Sequence, residues 1–331
     1  MKGLFIALAA LALTGVVFYS MSQVSDDTKY RQAFASFKTK FNKSYGSKSE
    51  IDFRYGIFVD NMKKIESRNA NPSIKYTSDV NKFTDMTFKE FSNQYLMGAK
   101  ENPHHGSSTP AKLTGKSVDW RETRGAVGPV KNQGQCGSCW AFSTVASLET
   151  TRVLAGNSYV ALSEQELVDC ASSYGNHGCS GGLMPFAFMY IAENGITTGA
   201  NYPYRGVEGR CRSSSFTERY TITDLSQLAT MDVNGLMDAI DKTVVSVAIE
   251  VQDSLMFYSG GVYHATDDSC GQGLNHGVAA VGYNNQDSDP YFIVRNSWGP
   301  GWGEAGYVKM AIGEGSGTCG IANEADVYPV L

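Results

Sequence analysis

The cysteines constrain this chain more than any other feature. There are seven, and all of them follow Thr114 in a chain of 331 residues. Seven is odd, so an oxidised chain keeps at least one thiol without an internal partner. The N-terminus bears on oxidation. Lys2 precedes an uncharged apolar run, Leu4 to Tyr19, and Ser20-Met21-Ser22 then offers a small-x-small cleavage pattern before Gln23. This is the layout of a secretory signal peptide, and a secreted route permits disulfides. The competing reading is a signal anchor, since the run approaches a short membrane span. The pattern predicts cleavage after residue 22. No later run is long and apolar enough to span a bilayer.

Charge divides what remains. Residues 23–113 hold 15 Lys or Arg against 10 Asp or Glu, a net +5, and no cysteine. Residues 114–331 hold 12 against 23, a net -11. Between them, Glu101 to Lys112 is rich in turn formers and includes His104 and His105, a linker composition. The expected organisation is a signal peptide (1–22), a basic segment (23–113) and an acidic domain (114–331). A hydrophobic content of 42% excludes a disordered chain, and the overall charge of -5 argues against a nucleic-acid binder.

In the basic segment Glu50, Arg54, Phe58, Asn61, Ile65 and Asn69 are spaced 4, 4, 3, 4 and 4. At about 100° per residue they share one helix face, and Pro72 stops the helix. Phe34, Phe37 and Phe41 mark an earlier amphipathic helix. In the acidic domain, Gln133-Gly-Gln-Cys136-Gly-Ser-Cys139-Trp140 precedes a long helical pattern that ends at Gly156. Cys139 therefore sits in the first turn of a helix, where the partial positive charge favours thiolate, the nucleophilic form. Cys136-x-x-Cys139 could instead be a redox dithiol or half a zinc site. A redox pair would strand another thiol among the remaining five, and no second C-x-x-C or spaced His pair supports zinc.

A nucleophilic cysteine needs a base and a group to orient it. His177 lies in a Gly-Asn-rich loop and His264 follows an aromatic strand. His276 opens a small-residue strand through Tyr283, and a second strand, Tyr291 to Arg295, ends at Asn296-Ser-Trp298. Two antiparallel strands would set Asn296 beside His276.

At this point the sequence resembles the papain family of cysteine peptidases, close to its cathepsin L branch. The motifs are Gln133 to Phe142, Gly178-Cys-Ser-Gly-Gly182, Leu274-Asn-His-Gly277 and Asn296-Ser-Trp-Gly-x-Gly-Trp-Gly303. The six-residue helix face resembles the ERFNIN motif of the family's inhibitory propeptides. Asn81-x-Phe83-x-Asp85 resembles their second motif, with Asp79 where a Gly is usual. The resemblance implies an α+β, papain-like two-lobed fold: a helical left lobe, a β-barrel-like right lobe and a cleft between, preceded by a helical inhibitory propeptide.

It also implies roles. Cys139 is the nucleophile, His276 the general base, held as imidazolium beside the thiolate and later the acid for the leaving amine, Asn296 its orienter, and Gln133 with the Cys139 N–H the oxyanion hole. Trp298 shields the pair. The implied disulfides are Cys136–Cys179, Cys170–Cys211 and Cys270–Cys319, which leaves Cys139 free. Gly181 and Gly182 would pair with substrate backbone. Leu183, Met184, Ala248, Leu274 and Asn275 would build the S2 pocket, with Glu324 at its floor accepting Arg as well as apolar P2 residues.

The expected activity is that of a zymogen endopeptidase acting through a thioester, with a transpeptidase using the same thioester as the alternative. No cofactor or metal is implied. Expected partners are peptide and protein substrates, the chain's own propeptide and cystatin-type inhibitors, with no nucleic acid, no membrane after signal cleavage, and a monomeric enzyme. The destination would be a lysosome, an acidic vacuole or the outside. The one glycosylation sequon, Asn42-Lys-Ser44, lies in the basic segment. Opposite net charges predict latency near neutrality and self-processing in acid, within Lys112 to Ser117.

Overall fold

The structure is a computed structural model that describes residues 27–98, 100–101, 111–112, 114–228, 233–265, 270–322 and 326–331. The proposed signal peptide, His104, His105 and Glu324 lie outside them. No helix among the described residues is long and apolar enough to cross a membrane.

The chain forms two compact units. The first takes residues up to Glu66 together with Val80–Met86. Helix α1 (27–40) and most of α2 (Lys48–Ala70) build it. Phe34, Phe37 and Phe58 meet in its core, with Phe34 and Phe37 at 5.2 and 5.1 Å from the Phe58 ring. The polar positions of the α2 face are used as well. Asn61 Nδ2 donates to the carbonyls of Thr84 and Met86, and Arg54 donates to that of Asp85. The buried Asp85 carboxylate accepts from Lys43 Nζ at 2.7 Å and Tyr45 Oη at 2.9 Å. The face therefore reads a backbone turn, which explains why polar residues occupy positions where a simple amphipathic helix would carry leucine.

The second unit holds Ser67–Asp79 and Thr87–Leu331. Its elements are β1 (Tyr76–Ser78), α3 (Phe88–Tyr95), β2 (Lys100–Glu101), β3 (Ser117–Asp119), α4 (Cys139–Leu154), α5 (Glu164–Cys170), α6 (Met184–Asn194), β4 (Asp224–Gln227), α7 (Val233–Ile240), β5 (Val245–Ile249), α8 (Asp253–Met256), β6 (Tyr258–Tyr263), β7 (Gly273–Leu274), β8 (His276–Asn284), β9 (Tyr291–Arg295), β10 (Tyr307–Ala311) and β11 (Val327–Val330). Strand order runs β1-β6-β10-β9-β8-β5-β11-β4, with β3 added to β8 and a separate β2-β7 pair. Neighbours are antiparallel except β6 and β10.

Helix α4 is the pivot. Residues Cys139 to Thr150 are all buried, as expected of a helix covered on every side. Trp140, Val145 and Leu148 pack with α5 and α6, while Ala146 packs with Val244, Ala279, Val281 and Ile293 of the sheet. Ser143, Ser147 and Thr151 recur at i, i+4 and i+8, so they form one stripe. Their hydroxyls meet Val278 O at 2.6 Å, Val244 O at 2.6 Å and the Thr243 hydroxyl at 2.6 Å. Small side chains let the helix sit close to the sheet, and each buried hydroxyl is satisfied.

The sequence suggests a capping box at Ser163 and Glu166, and only half of it forms. Ser163 Oγ accepts from Glu166 N–H at 3.0 Å. The Glu166 carboxylate turns away to Tyr190, Thr197 N–H and the charged Arg219, three donors in place of one. A complete box starts α3 instead, where Thr87 and Glu90 each bond the other's backbone N–H.

Candidate active site

Two element starts define the site. Cys139 opens α4, and His276 opens β8. The Ser143–Val278 bond fixes the register between them, one helical turn past Cys139 and two residues past His276. Gly277 lets the strand approach. A Cβ there would come within 3.2 Å of Trp140 N and Cα and of Met184 Sδ. The Gly277 backbone is accordingly among the groups that act on the Cys139 sulfur.

Asn296 follows β9, paired to β8 in antiparallel register. Its Oδ1 accepts from Ser297 N–H at 2.7 Å and lies 2.8 Å from His276 Nε2. Because Ser297 N–H already identifies that atom as the oxygen, Nε2 must carry the proton. The neutral ring then keeps its lone pair on Nδ1, which is buried and has no hydrogen-bond partner among the described residues. Trp298 stacks on the imidazole at 4.7 Å and meets Trp302 edge-on at 4.9 Å.

Gln133 is held on the same side by backbone pairing of 131–133 with 297–299: Gln133 N–H to Ser297 O at 2.8 Å and Gly299 N–H to Lys131 O at 3.0 Å. Its Oε1 accepts from Ser297 Oγ at 2.6 Å, which points Nε2 outward as a donor. Nε2 donates to Cys136 O and Tyr95 O, both at 2.9 Å. Behind the site, half-buried Lys131 bonds the buried carboxylates of Glu149 at 2.7 Å and Glu164 at 2.6 Å.

Residues 87–98 lie over these groups. Phe91 meets Trp298 edge-on at 5.0 Å. Met97 is buried in one apolar cluster with Cys139, Trp140, Met184, Ala248 and Leu274. Met97 N–H donates to Asn275 O at 2.9 Å, and β2 continues the pairing along β7. Gly181, at φ 114, admits this segment: a Cβ there would come within 2.9 Å of Met97 Cβ. Gly182 is buried, while Leu183 is only half-buried.

Burial sets the protonation of the covered pair. It pushes the Cys139 thiol up to about 11, although the backbones of Gly277, Trp140, Met97 and Cys139 pull it down. It pushes His276 down to about 4 against the Asn296 hydrogen bond. A helix N-terminus contributes about 0.3–2 kcal/mol, whereas a two-unit shift is worth about 3 kcal/mol, so burial wins while the cover is on. Both shifts favour the uncharged forms, a thiol and a neutral imidazole.

Residues 114–329 match the model of the papain family cysteine proteases, and residues 34–91 match the cathepsin propeptide inhibitor domain (I29). The chain belongs to the papain family. A thiol protease of Hemerocallis is 40% identical over 99% of this chain and 95% of its own length. A KDEL-tailed cysteine endopeptidase of Arabidopsis thaliana is 44% identical over 86% and 81%. The structure of digestive procathepsin L 3 from Tenebrio molitor larval midgut superposes with a TM-score of 0.79, at 41% identity, covering 91% of this chain and 99% of that one. The chain is thus a papain-family cysteine endopeptidase with a propeptide inhibitor domain.

The family's three disulfides are formed: Cys136–Cys179, Cys170–Cys211 and Cys270–Cys319. Cys139 carries a free thiol. Two placements refine the sequence reading. The Asn275 side chain is occupied by Val251, with Oδ1 accepting its N–H at 2.8 Å, so the carbonyl of Asn275 faces the covering strand. Glu324 lies outside the described residues. Sequence reasoning passed over Ser297, Ser143 and Tyr204. Tyr204 Oη donates to Gln133 O and also meets Ser138 Oγ, both at 2.7 Å. Their partners are backbone groups or lie 66 to 164 residues away, so no local pattern marks them.

Proposed function

We propose that the chain is an acid-activated endopeptidase that cleaves peptide bonds through a thioester on Cys139. The observation that carries this reading is the bond from His276 Nε2 to Asn296 Oδ1, which leaves Nδ1 as the only basic ring atom beside the helix that starts at Cys139. In the uncovered site the Cys139 proton passes to Nδ1. The sulfur then adds to the substrate carbonyl carbon, and the developing oxyanion is held by Gln133 Nε2 and the Cys139 N–H. Collapse breaks the C–N bond, and His276 gives its proton to the leaving amine. Water, deprotonated by the same ring, adds to the thioester carbonyl, and Cys139 leaves as thiolate. Trp298 over the imidazole keeps bulk water from the pair.

Cleavage of substrates with apolar P2 residues is supported by the apolar company of Met184, Ala248 and Leu274, which already receives Met97. Acceptance of Arg at P2 rests on Glu324. The basic segment 23–113 acts as the intramolecular inhibitor, cystatin-type proteins fit the same cleft, and the enzyme works as a monomer. The apolar N-terminal run supports entry to the secretory pathway, with an acidic vacuole, lysosome or the exterior as destination.

The test is acid activation followed by a panel of peptides varied at P2. Leu and Phe should be cleaved best, and Glu324→Ala should lose Arg alone. An Arg-to-Phe preference unchanged by Glu324→Ala would reject the S2 assignment. An activated enzyme that cleaves none of the panel would reject the reading itself.

A further inference from the structure

After Ala70 the propeptide lays β1 along β6. Tyr76 lies opposite Gly261, Thr77 opposite Gly260 and Ser78 opposite Tyr258, with a bulge between Thr77 and Ser78. Asp79 N–H extends the pairing to Phe257 O at 2.9 Å. Gly261, at φ 83, permits the approach, since a Cβ there would come within 2.6 Å of Lys75 O. Tyr76 is 3% exposed and packs against Tyr263 at 4.8 Å and Tyr258 at 6.4 Å. Two cations meet carboxylates on either side: Arg68 to Asp253 at 2.5 Å, and Lys75 to Asp289 at 3.4 Å.

Loss of the propeptide takes β1 away and leaves β6 as an edge. An edge strand presents unpaired backbone groups and is a template for adding another extended chain. Here the edge keeps an aromatic socket and two flanking carboxylates, on a domain with a net charge of -11. We propose that in the activated enzyme this edge is a substrate-docking site, separate from the catalytic cleft. It takes an extended segment of a protein substrate that carries an aromatic side chain with a basic residue beside it. This rests on the endopeptidase reading above.

The socket reads the ring rather than the hydroxyl. Tyr76 Oη is buried without a well-formed hydrogen bond among the described residues, because the Ser254 hydroxyl that acts on it is engaged by Tyr263 at 2.7 Å. Burying an unpaired hydroxyl is costly, so Phe fits as well as Tyr. The site also lies within reach of the chemistry. From Tyr258 the rings of Trp302, Trp298 and His276 follow at steps of 5.8, 4.9 and 4.7 Å. These steps bound the straight-line separation of Tyr258 and His276 at about 15 Å, the span of roughly five extended residues at ~3.3 Å each.

The experiment uses the activated wild-type enzyme and an acetylated peptide of the sequence Ile74 to Asp79. Two substrates are followed, a short fluorogenic peptide and a reduced, alkylated unfolded protein. The peptide should slow protein cleavage by roughly tenfold, the scale that a second weak contact adds, and leave the short substrate untouched. A version with Tyr76→Phe should compete as well, and one with Tyr76→Ala should not. The proposal is overturned if no version slows protein cleavage, if the Ala version competes equally, or if both substrates are slowed together. Failure of the endopeptidase reading would look different: neither substrate would be cleaved at all.

Discussion

Gln133 has two jobs that pull in opposite directions. In the covered chain its Nε2 donates to the Tyr95 carbonyl of the propeptide. In the uncovered chain the same N–H is the donor proposed for the oxyanion. Removing one such donor costs about 10²–10³ in kcat. Gln133→Ala should therefore lower kcat on a short peptide by about that factor. It should also release the propeptide at a higher pH than wild type, because a buried bond to the cover is gone. Steady-state kinetics and a pH series of zymogen processing measure the two effects. An unchanged kcat would remove Gln133 from the proposed mechanism. His276 shows how the residue scale reports to the sequence. Its neighbours could be guessed because a base needs an orienter, and Asn296 follows a strand that pairs with β8. Which ring nitrogen bears the proton could not be guessed, since it depends on a backbone N–H, that of Ser297, already claiming the amide oxygen.

At the scale of elements, α4 joins the helical part to the sheet, and two devices hold it. One is the Ser143, Ser147 and Thr151 stripe; the other is half-buried Lys131, set between the buried carboxylates of Glu149 on α4 and Glu164 at the start of α5. Lys131 is held charged by the two carboxylates against the effect of its own burial. Removing one partner of a buried ion pair leaves uncompensated charge and costs about 3–5 kcal/mol. Lys131→Met should thus lower the denaturation midpoint strongly, while Lys131→Met combined with Glu149→Gln and Glu164→Gln should recover part of the loss. Equal stability of the single variant and wild type, by urea unfolding, would contradict the network's role. The extent of α4 could be read from its apolar run and from Gly156 beyond its end. Its stripe could not, because Ser and Thr at i, i+4 and i+8 look the same whether they face solvent or a sheet. Glu166 went astray for a related reason: a sequence shows the short-range partner of a capping box but not Arg219, 53 residues on, which wins it.

At the scale of the whole molecule, the opposite charges of the two segments gave one reason to expect acid activation, and the site supplies a second. Burial holds His276 down to about 4 from an ordinary value of 6.5. A group depressed in the covered form stabilises that form above its ordinary value, and the contribution is lost as pH falls from about 6.5 to 4. Over that window a state in which the ring regains its ordinary value gains up to roughly 3 kcal/mol. Burial likewise favours the Cys139 thiol, and Met97 of the covering segment shares its buried cluster, so removal of that segment should act on both groups together. The measurement that tests this most directly follows alkylation of Cys139 by an epoxide inhibitor, read by mass spectrometry before and after acid incubation. The account predicts no label on the zymogen at pH 7. After processing near pH 4.5 it predicts a single label on Cys139, with activity lost one for one. Labelling of the zymogen at pH 7 as fast as the processed enzyme, or activity that survives complete modification of Cys139, would contradict it.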